Sequence, residues 1–258
     1  MVFTFLGTGT SGGVPSIGCN CKVCTSSDPR DNRLRTAAMV ETDSTRVIID
    51  CGPDFRQQML RVPFRKIDGV LITHIHYDHV AGIDDLRPFC SIDYPKLYDI
   101  DVYANKDTAK ALRQTMPYCF HENHYPGIPR LLLHEMPPHH VFRIGDIEVT
   151  PFVVMHGQMP IFAYRIGSLA YITDMKTIQL EEMRYLEGVE TLVVNALRFE
   201  KEHHSHQLVD DAISFAQKVG ARRTFLVHGS HGIGLHAESS KRLPQGVQLA
   251  YDGQTIHF

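Results

Sequence analysis

The amino-acid sequence predicts an α/β fold in which β-sheets are stacked as layers and flanked by helices. Three observations carry that expectation. Seven short β-rich runs are spread along the chain, three segments with helical periodicity lie among them, and the two kinds do not alternate strictly as βαβ units. Several of the β-rich runs also finish on His or Asp, which would collect polar side chains at strand ends.

In order along the chain, VFTFLG (2–7), RVIIDCG (46–52), GVLITH (69–74), IEVTPFVVMHG (147–157), LAYITD (169–174), TLVVNA (191–196) and TFLVHGSH (224–231) read as strands, because each is rich in β-branched, aromatic and other apolar residues. DFRQQMLRV (54–62), NKDTAKALRQTM (105–116) and HQLVDDAISFAQKVG (206–220) read as helices. The last is the clearest, with Val209, Ala212, Ile213, Ala216 and Val219 at helical spacing and Gly220 placed to cap it. The closing LAYDGQTIHF has the pattern of a hairpin turning at Asp252 and Gly253. No solenoid-type repeat is visible.

The 258 residues contain no Pro/Gly/Ser-rich linker and no charge run, so one domain spanning 1–258 is expected. A formal net charge of -3 without a Lys/Arg block gives no electrostatic footprint for gripping long nucleic acid. The first apolar run is too short for a signal peptide, and no stretch of about 18 apolar residues marks a membrane span, so a cytoplasmic protein is expected. Cys19, Cys21 and Cys24 are too crowded for an ordinary disulfide framework and point to metal in a reducing compartment. Cys51, Cys90 and Cys119 have no such partners and read as small core residues.

In VLITHIHYDHVAG, His74, His76, Asp78 and His79 follow an apolar run within six residues. A sharp turn after a buried strand lets His74 and His76 face one way while Asp78 and His79 reach another from the start of a helix, so one short loop can serve two metal ions. Imidazole and carboxylate together suit zinc, manganese, iron or nickel. A polar loop with chance histidines accounts for one or two of these residues, but poorly for four in this order followed by Ala81 and Gly82.

In these four residues the chain resembles the metallo-β-lactamase superfamily, whose HxHxDH signature they match in order. The resemblance implies an αββα sandwich of two mixed β-sheets with a two-metal site at one edge. It implies three further ligands at strand ends: His156 in VVMHG, Asp174 in YITD and His228 in FLVHG. His74, His76 and His156 would hold one ion, Asp78, His79 and His228 the other, and Asp174 would bridge both. The Gly-rich turn leading into Cys19, Cys21 and Cys24 is similar to that of phosphoribosyl cyclic phosphodiesterases and related hydrolases. In that group three thiolates and a histidine, here His231, hold a structural zinc, a closed tetrahedral site. The resemblance also places His206, in EHHSHQLVDDAI, at the substrate phosphate; His203 and His204 read simply as residues flanking the helix. Asn195 departs from it, standing where many relatives carry an acid.

The expected function is hydrolysis of a phosphodiester, small or cyclic, by a hydroxide activated between two divalent ions, with Asp78 and His206 as catalytic residues. Two dications offset by two carboxylates and a hydroxide leave a cationic site that favours phosphate. His206 would contact a phosphate oxygen or protonate the departing alkoxide. The alternatives are a tRNA 3′-processing nuclease, although the region 94–140 is no basic Gly/Pro-rich arm, an iron oxygenase like the pyrroloquinoline-quinone biosynthesis protein that shares the cysteine cluster, and a non-enzymatic metal scaffold. The expected partner is a small phosphodiester rather than nucleic acid or membrane, and a homodimer stays open as an assembly.

Overall fold

The structure is a computed structural model and describes residues 1–120 and 127–258. Its first strands are β1 (Val2–Gly7), β2 (Ala37–Glu41), β3 (Arg46–Ile49), β4 (Gly69–Leu71), β5 (Ile100–Ala104) and β6 (Leu131–Glu135). They are followed by β7 (Phe142–Ile144), β8 (Ile147–His156), β9 (Met159–Ile166), β10 (Leu169–Ile172), β11 (Thr191–Asn195), β12 (Arg223–Val227), β13 (Val247–Leu249) and β14 (Thr255–His257). Two sheets result, ordered β14-β1-β2-β3-β4-β5-β6 and β13-β12-β11-β10-β9-β8-β7. In each, three antiparallel pairings precede three parallel ones: β1 to β3 and β8 to β10 run as meanders, then β4 to β6 and β11 to β13 add in parallel. The expected pair of mixed sheets flanked by helices is therefore present, built from one topology used twice.

Alternation along the strands makes three layers of core. Phe3 and Phe5 of β1, Val47 and Ile49 of β3, Phe162 and Tyr164 of β9, and Tyr171 of β10 meet between the sheets. Ile48 faces the other way and packs with Phe55, Phe89, Ala109 and Leu112. These belong to α1 (Phe55–Met59), α3 (Arg87–Cys90) and α4 (Lys106–Thr115), with α2 (Tyr77–Val80) lying between α1 and α3 in sequence. On the outer face of the second sheet, Ala170, Ile172, Leu192 and Val194 pack on Val209, Ala212, Phe215 and Ala216 of α5 (Val209–Val219). Cys51, Cys90 and Cys119 are buried core residues, as expected.

Two sequence expectations fail locally. The helix expected from His206 begins at Val209, because the Asp211 carboxylate accepts the backbone N–H of Leu208 at 3.0 Å and fixes the start there. His206 is consequently outside the helix, while Gly220 ends it in the left-handed conformation as foreseen, at φ 74°. The closing segment is not a hairpin: β13 pairs with β12 in one sheet and β14 with β1 in the other. The turn at Asp252 and Gly253 instead passes the chain between sheets. Phe5 holds it by accepting the Gly253 N–H at 2.7 Å, and the Asp252 carboxylate accepts from Thr8 and Leu34. Strands β2, β5, β6, β7, β9 and β13 carry weaker sequence signals than those listed above; β7 and β13 are three residues each.

The HIHYDH loop is bolted to the segment after β3. Cys51 donates its N–H to His79 O at 2.7 Å, and Gly82 donates to Cys51 O at 2.8 Å. A Cβ on Gly52 would lie 1.9 Å from Asp78 O, so only glycine permits this approach. Gly52→Ala is expected to destabilise the protein by at least about 1–3 kcal/mol, the usual range for overpacking, whereas Gly12→Ala, whose Cβ meets nothing within 4 Å, leaves the thermal midpoint unchanged. Equal midpoints for the two variants would contradict the close contact.

Candidate metal centre

All seven ligand candidates in the His/Asp centre come from strand ends or from the loop after β4. His74 and His76 follow β4, and Asp78 and His79 lie on the single-turn α2. His156 ends β8, Asp174 follows β10 and His228 follows β12. Asp174 and His228 take left-handed backbone angles, φ 56° and 58°, which turn their side chains away from the strand direction and into the cluster. All but His76 are buried.

The donors separate into the two sets expected, His74, His76, His156 and Asp174, and Asp78, His79, Asp174 and His228, each with its ligand atoms within 4.8 Å of one another. Asp174 serves both through different oxygens. Its Oδ2 lies 3.9 Å from His74 Nε2, and its Oδ1 lies 3.4 Å from His79 Nε2 and 3.2 Å from His228 Nε2. Asp78 Oδ2, His79 Nε2 and His228 Nε2 are buried and make no hydrogen bond, although they approach within 3.1 and 3.5 Å. Buried polar atoms rarely go unsatisfied. In this second set, donors that converge without bonding to one another fit a shared cation; in the first, His74 Nε2 and His76 Nδ1 lie 3.0 Å apart.

Three of the rings, His79, His156 and His74, are held from the far side. The Asp50 carboxylate accepts from His79 Nδ1 at 2.7 Å and from the N–H and hydroxyl of Thr73. Ser205 O accepts from His156 Nδ1 at 3.0 Å, and His74 Nδ1 meets Thr73 Oγ1 at 3.0 Å. Such partners fix ring orientation and leave the opposite nitrogen for an ion. Burial opposes charge on Asp174, yet His228 and His79 outweigh it and hold its carboxyl well below the ordinary range.

Asp50 was not among the residues singled out from the sequence. It ends RVIIDCG much as Asp174 ends YITD, and it shares the left-handed backbone at φ 64°, so a strand finishing on Asp was the available signal. Asn195, the departure from the resemblance, is fully buried. Its amide accepts the Met175 N–H at 2.7 Å and donates to Met175 O at 2.9 Å. A carboxylate could accept but not donate there, so the amide clamps the turn carrying Asp174.

His206 is also at the centre. Its Nε2 is 3.1 Å from Asp174 Oδ2, and its ring stacks on His228 at 4.8 Å between centroids. Burial pulls its imidazole down to about 4, with the bond to Asp174 opposing. A second donor set joins the chain's two ends: the sulfurs of Cys19, Cys21 and Cys24 lie 3.2, 3.5 and 3.4 Å from His231 Nδ1. Three thiols around one imidazole nitrogen suit a closed tetrahedral ion site.

Residues 45–229 match the family model described as the beta-lactamase superfamily domain. A solved structure of a new diphosphatase from the PhnP family superposes with a TM-score of 0.91 at 39% identity, covering 100% of this chain and 97% of that one. Zn(2+)-bound PqqB from Methylobacterium extorquens superposes with a TM-score of 0.79 at 18% identity over 100% of both chains, a likeness of fold. An octanoyltransferase of Porphyromonas gingivalis is 43% identical over 249 residues, 96% of this chain and 50% of that protein. The chain spans half or less of the length of the first curated relatives it matches. No helix among the described residues is long and apolar enough to cross a membrane.

Graded chelation is expected to abolish hydrolytic activity before it releases metal from the four-ligand cysteine set, as followed by metal counting. Emptying of the thiolate set first with activity intact would reverse the roles given to the two centres. Asp78→Ala and Asp174→Ala are each expected to reduce metal at the His/Asp centre and remove activity with an unchanged circular dichroism spectrum; loss of the fold in both would make these carboxylates structural.

Proposed function

We propose, for a chain that belongs to the beta-lactamase superfamily and within it to the PhnP family, hydrolysis of a small phosphodiester, cyclic or linear. The observation that carries this reading is Asp174, shared by two donor sets through its two oxygens while His206 bonds the same carboxylate. Two divalent ions held by these residues, zinc or manganese being the best match to the donors, would supply Lewis acidity and water with a pKa lowered towards about 7. The cysteine set is read as a structural zinc site.

The chain's own residues perform the remaining tasks. Asp78 and Asp174 contribute two negative charges to the donor sets, leaving an excess of positive charge under two dications that attracts a phosphate. His79 and His156 are oriented by Asp50 and Ser205, so the donor sets are fixed before substrate arrives. His206 lies beside Asp174, where it would neighbour a phosphate held by the two ions. An anionic phosphate beside it would raise its imidazole from about 4 and make it an acid for the departing alkoxide.

The diphosphatase activity of the similar solved structure supports attack on a phosphorus–oxygen bond. The octanoyltransferase is twice as long as the region it shares, so its name does not assign acyl transfer to that region. A small substrate is favoured over tRNA because the region 94–140 has five basic residues and five acidic ones, and, where described, it folds mainly as β5, α4 and β6. Residues 121–126 of it lie outside the described residues.

A panel of cyclic and linear phosphodiesters tested against protein of measured metal content decides the reading; turnover of none of them would end it. Within an active substrate pair, His206→Ala is expected to lower turnover of the diester with an alkoxide leaving group by about 10²–10⁴-fold, and that of the nitrophenyl diester much less. Equal losses of affinity for both would make His206 a phosphate anchor.

A further inference from the structure

The segment from His203 to His206 does more than deliver one histidine. His206 Nε2 is engaged by Asp174 Oδ2 at 3.1 Å, and its Nδ1 faces two other polar atoms, Ser205 Oγ at 3.1 Å and His203 Nδ1 at 3.1 Å. Ser205 Oγ and His203 Nδ1 are themselves 3.3 Å apart, so the three atoms close a triangle. The Ser205 backbone N–H donates to His203 Nδ1 at 3.4 Å, and the hydroxyl, with one proton to donate, can give it to His206 Nδ1. The same Ser205 gives its carbonyl to His156 Nδ1 at 3.0 Å. His203 also stands edge-on to His206, with ring centroids 4.8 Å apart, and backs onto His204 at 4.5 Å.

We infer that His203, together with the Ser205 hydroxyl, is a positioning residue that sets the rotation of the His206 ring, so that Nε2 rather than a ring carbon is turned towards Asp174 and the donor sets, beside which a substrate phosphate would bind. The inference rests on the phosphodiesterase reading for its catalytic consequence, but not for its geometry. A ring lying outside the helix and bonded only through Nε2 could swing about its side-chain torsions. Contacts at both nitrogens restrict it to one orientation, and the reacting geometry needs that restriction because small misplacements of a catalytic group are costly. A plain helix-flanking role for His203 does not explain why its Nδ1 meets Nδ1 of the buried ring.

The test is a double-mutant cycle combined with imidazole resonances. His203→Ala is expected to lower kcat for the alkoxide-leaving diester about tenfold, with KM and metal content unchanged and the nitrophenyl diester little affected. His203→Asn, whose amide nitrogen or oxygen can occupy the place of Nδ1, is expected to recover most of the loss. In the His206→Ala background, His203→Ala should cost nothing further, since a residue acting through another is not additive with it. In zinc-loaded protein carrying ¹⁵N-labelled histidine, the His206 ring signals should move in His203→Ala and return in His203→Asn. Additive losses in the cycle, or His206 signals unmoved by His203→Ala, overturn the inference. Loss of metal with equal effects on both diesters also overturns it, by making His203 a support for the His156 contact. If the unsubstituted protein turned over no diester while the ring signals moved as expected, the functional reading would fail and the positioning would stand.

Discussion

A carboxylate buried among imidazoles is the constraint on which this molecule depends. Asp174 is 2% exposed, sits on a left-handed backbone, and has nitrogens of His74, His79, His206 and His228 within 3.9 Å. Burying an unpaired carboxylate is costly. Here the cost is met by neighbours arriving from three separate parts of the chain, and they come together only if two sheets are stacked in one register. The centre therefore tests the whole fold: a shift of β4, β10 or β12 by one residue would turn a donor to the opposite face.

The surrounding structure is best understood as a set of clamps on that arrangement. The Asn195 side chain grips both backbone groups of Met175 and so fixes the turn that carries Asp174. Asp50, with Thr73, holds His79 from behind, and the contact of Gly52 with the Asp78 carbonyl fixes the depth of the HIHYDH loop. Ser205 divides its polar groups between a ligand and His206. Apart from the steric contact at Gly52, the clamps use polar groups that are engaged by hydrogen bonds, which is how a buried polar network becomes rigid rather than destabilising.

The chain's extremities are tied at two points that sequence distance would not pair. His231 meets three cysteines some 210 residues earlier, and the turn at Asp252 and Gly253 leaves one sheet for the other while bonded to Phe5, Thr8 and Leu34. Both ties lie close in sequence to strands that bear on the centre, because His231 is three residues beyond His228 and Thr10 donates its N–H to Gly229 O at 3.1 Å. Closing so long a loop is entropically costly without a strong link, and a closed thiolate site is well suited to supply one.

By itself the sequence determined the α/β class and the seven strands that carry most of the core, and its HxHxDH and Cys spacings, local patterns of side chains, marked His74, His76, Asp78, His79, Cys19, Cys21 and Cys24 as metal-ligand candidates. His156, Asp174, His228, His231 and His206 were named through the family resemblance that those motifs carry. Tertiary structure alone decided what depends on contacts between distant segments: Asp50 as the support of His79, the amide at Asn195 as a backbone clamp, the crossing turn that had read as a hairpin, and the start of α5 at Val209. A two-residue turn flanked by apolar residues looks the same whether its second strand pairs with its first or with another sheet. The choice was made by the Asp252 carboxylate finding Thr8 and Leu34, a long-range interaction that leaves no periodic trace in the chain.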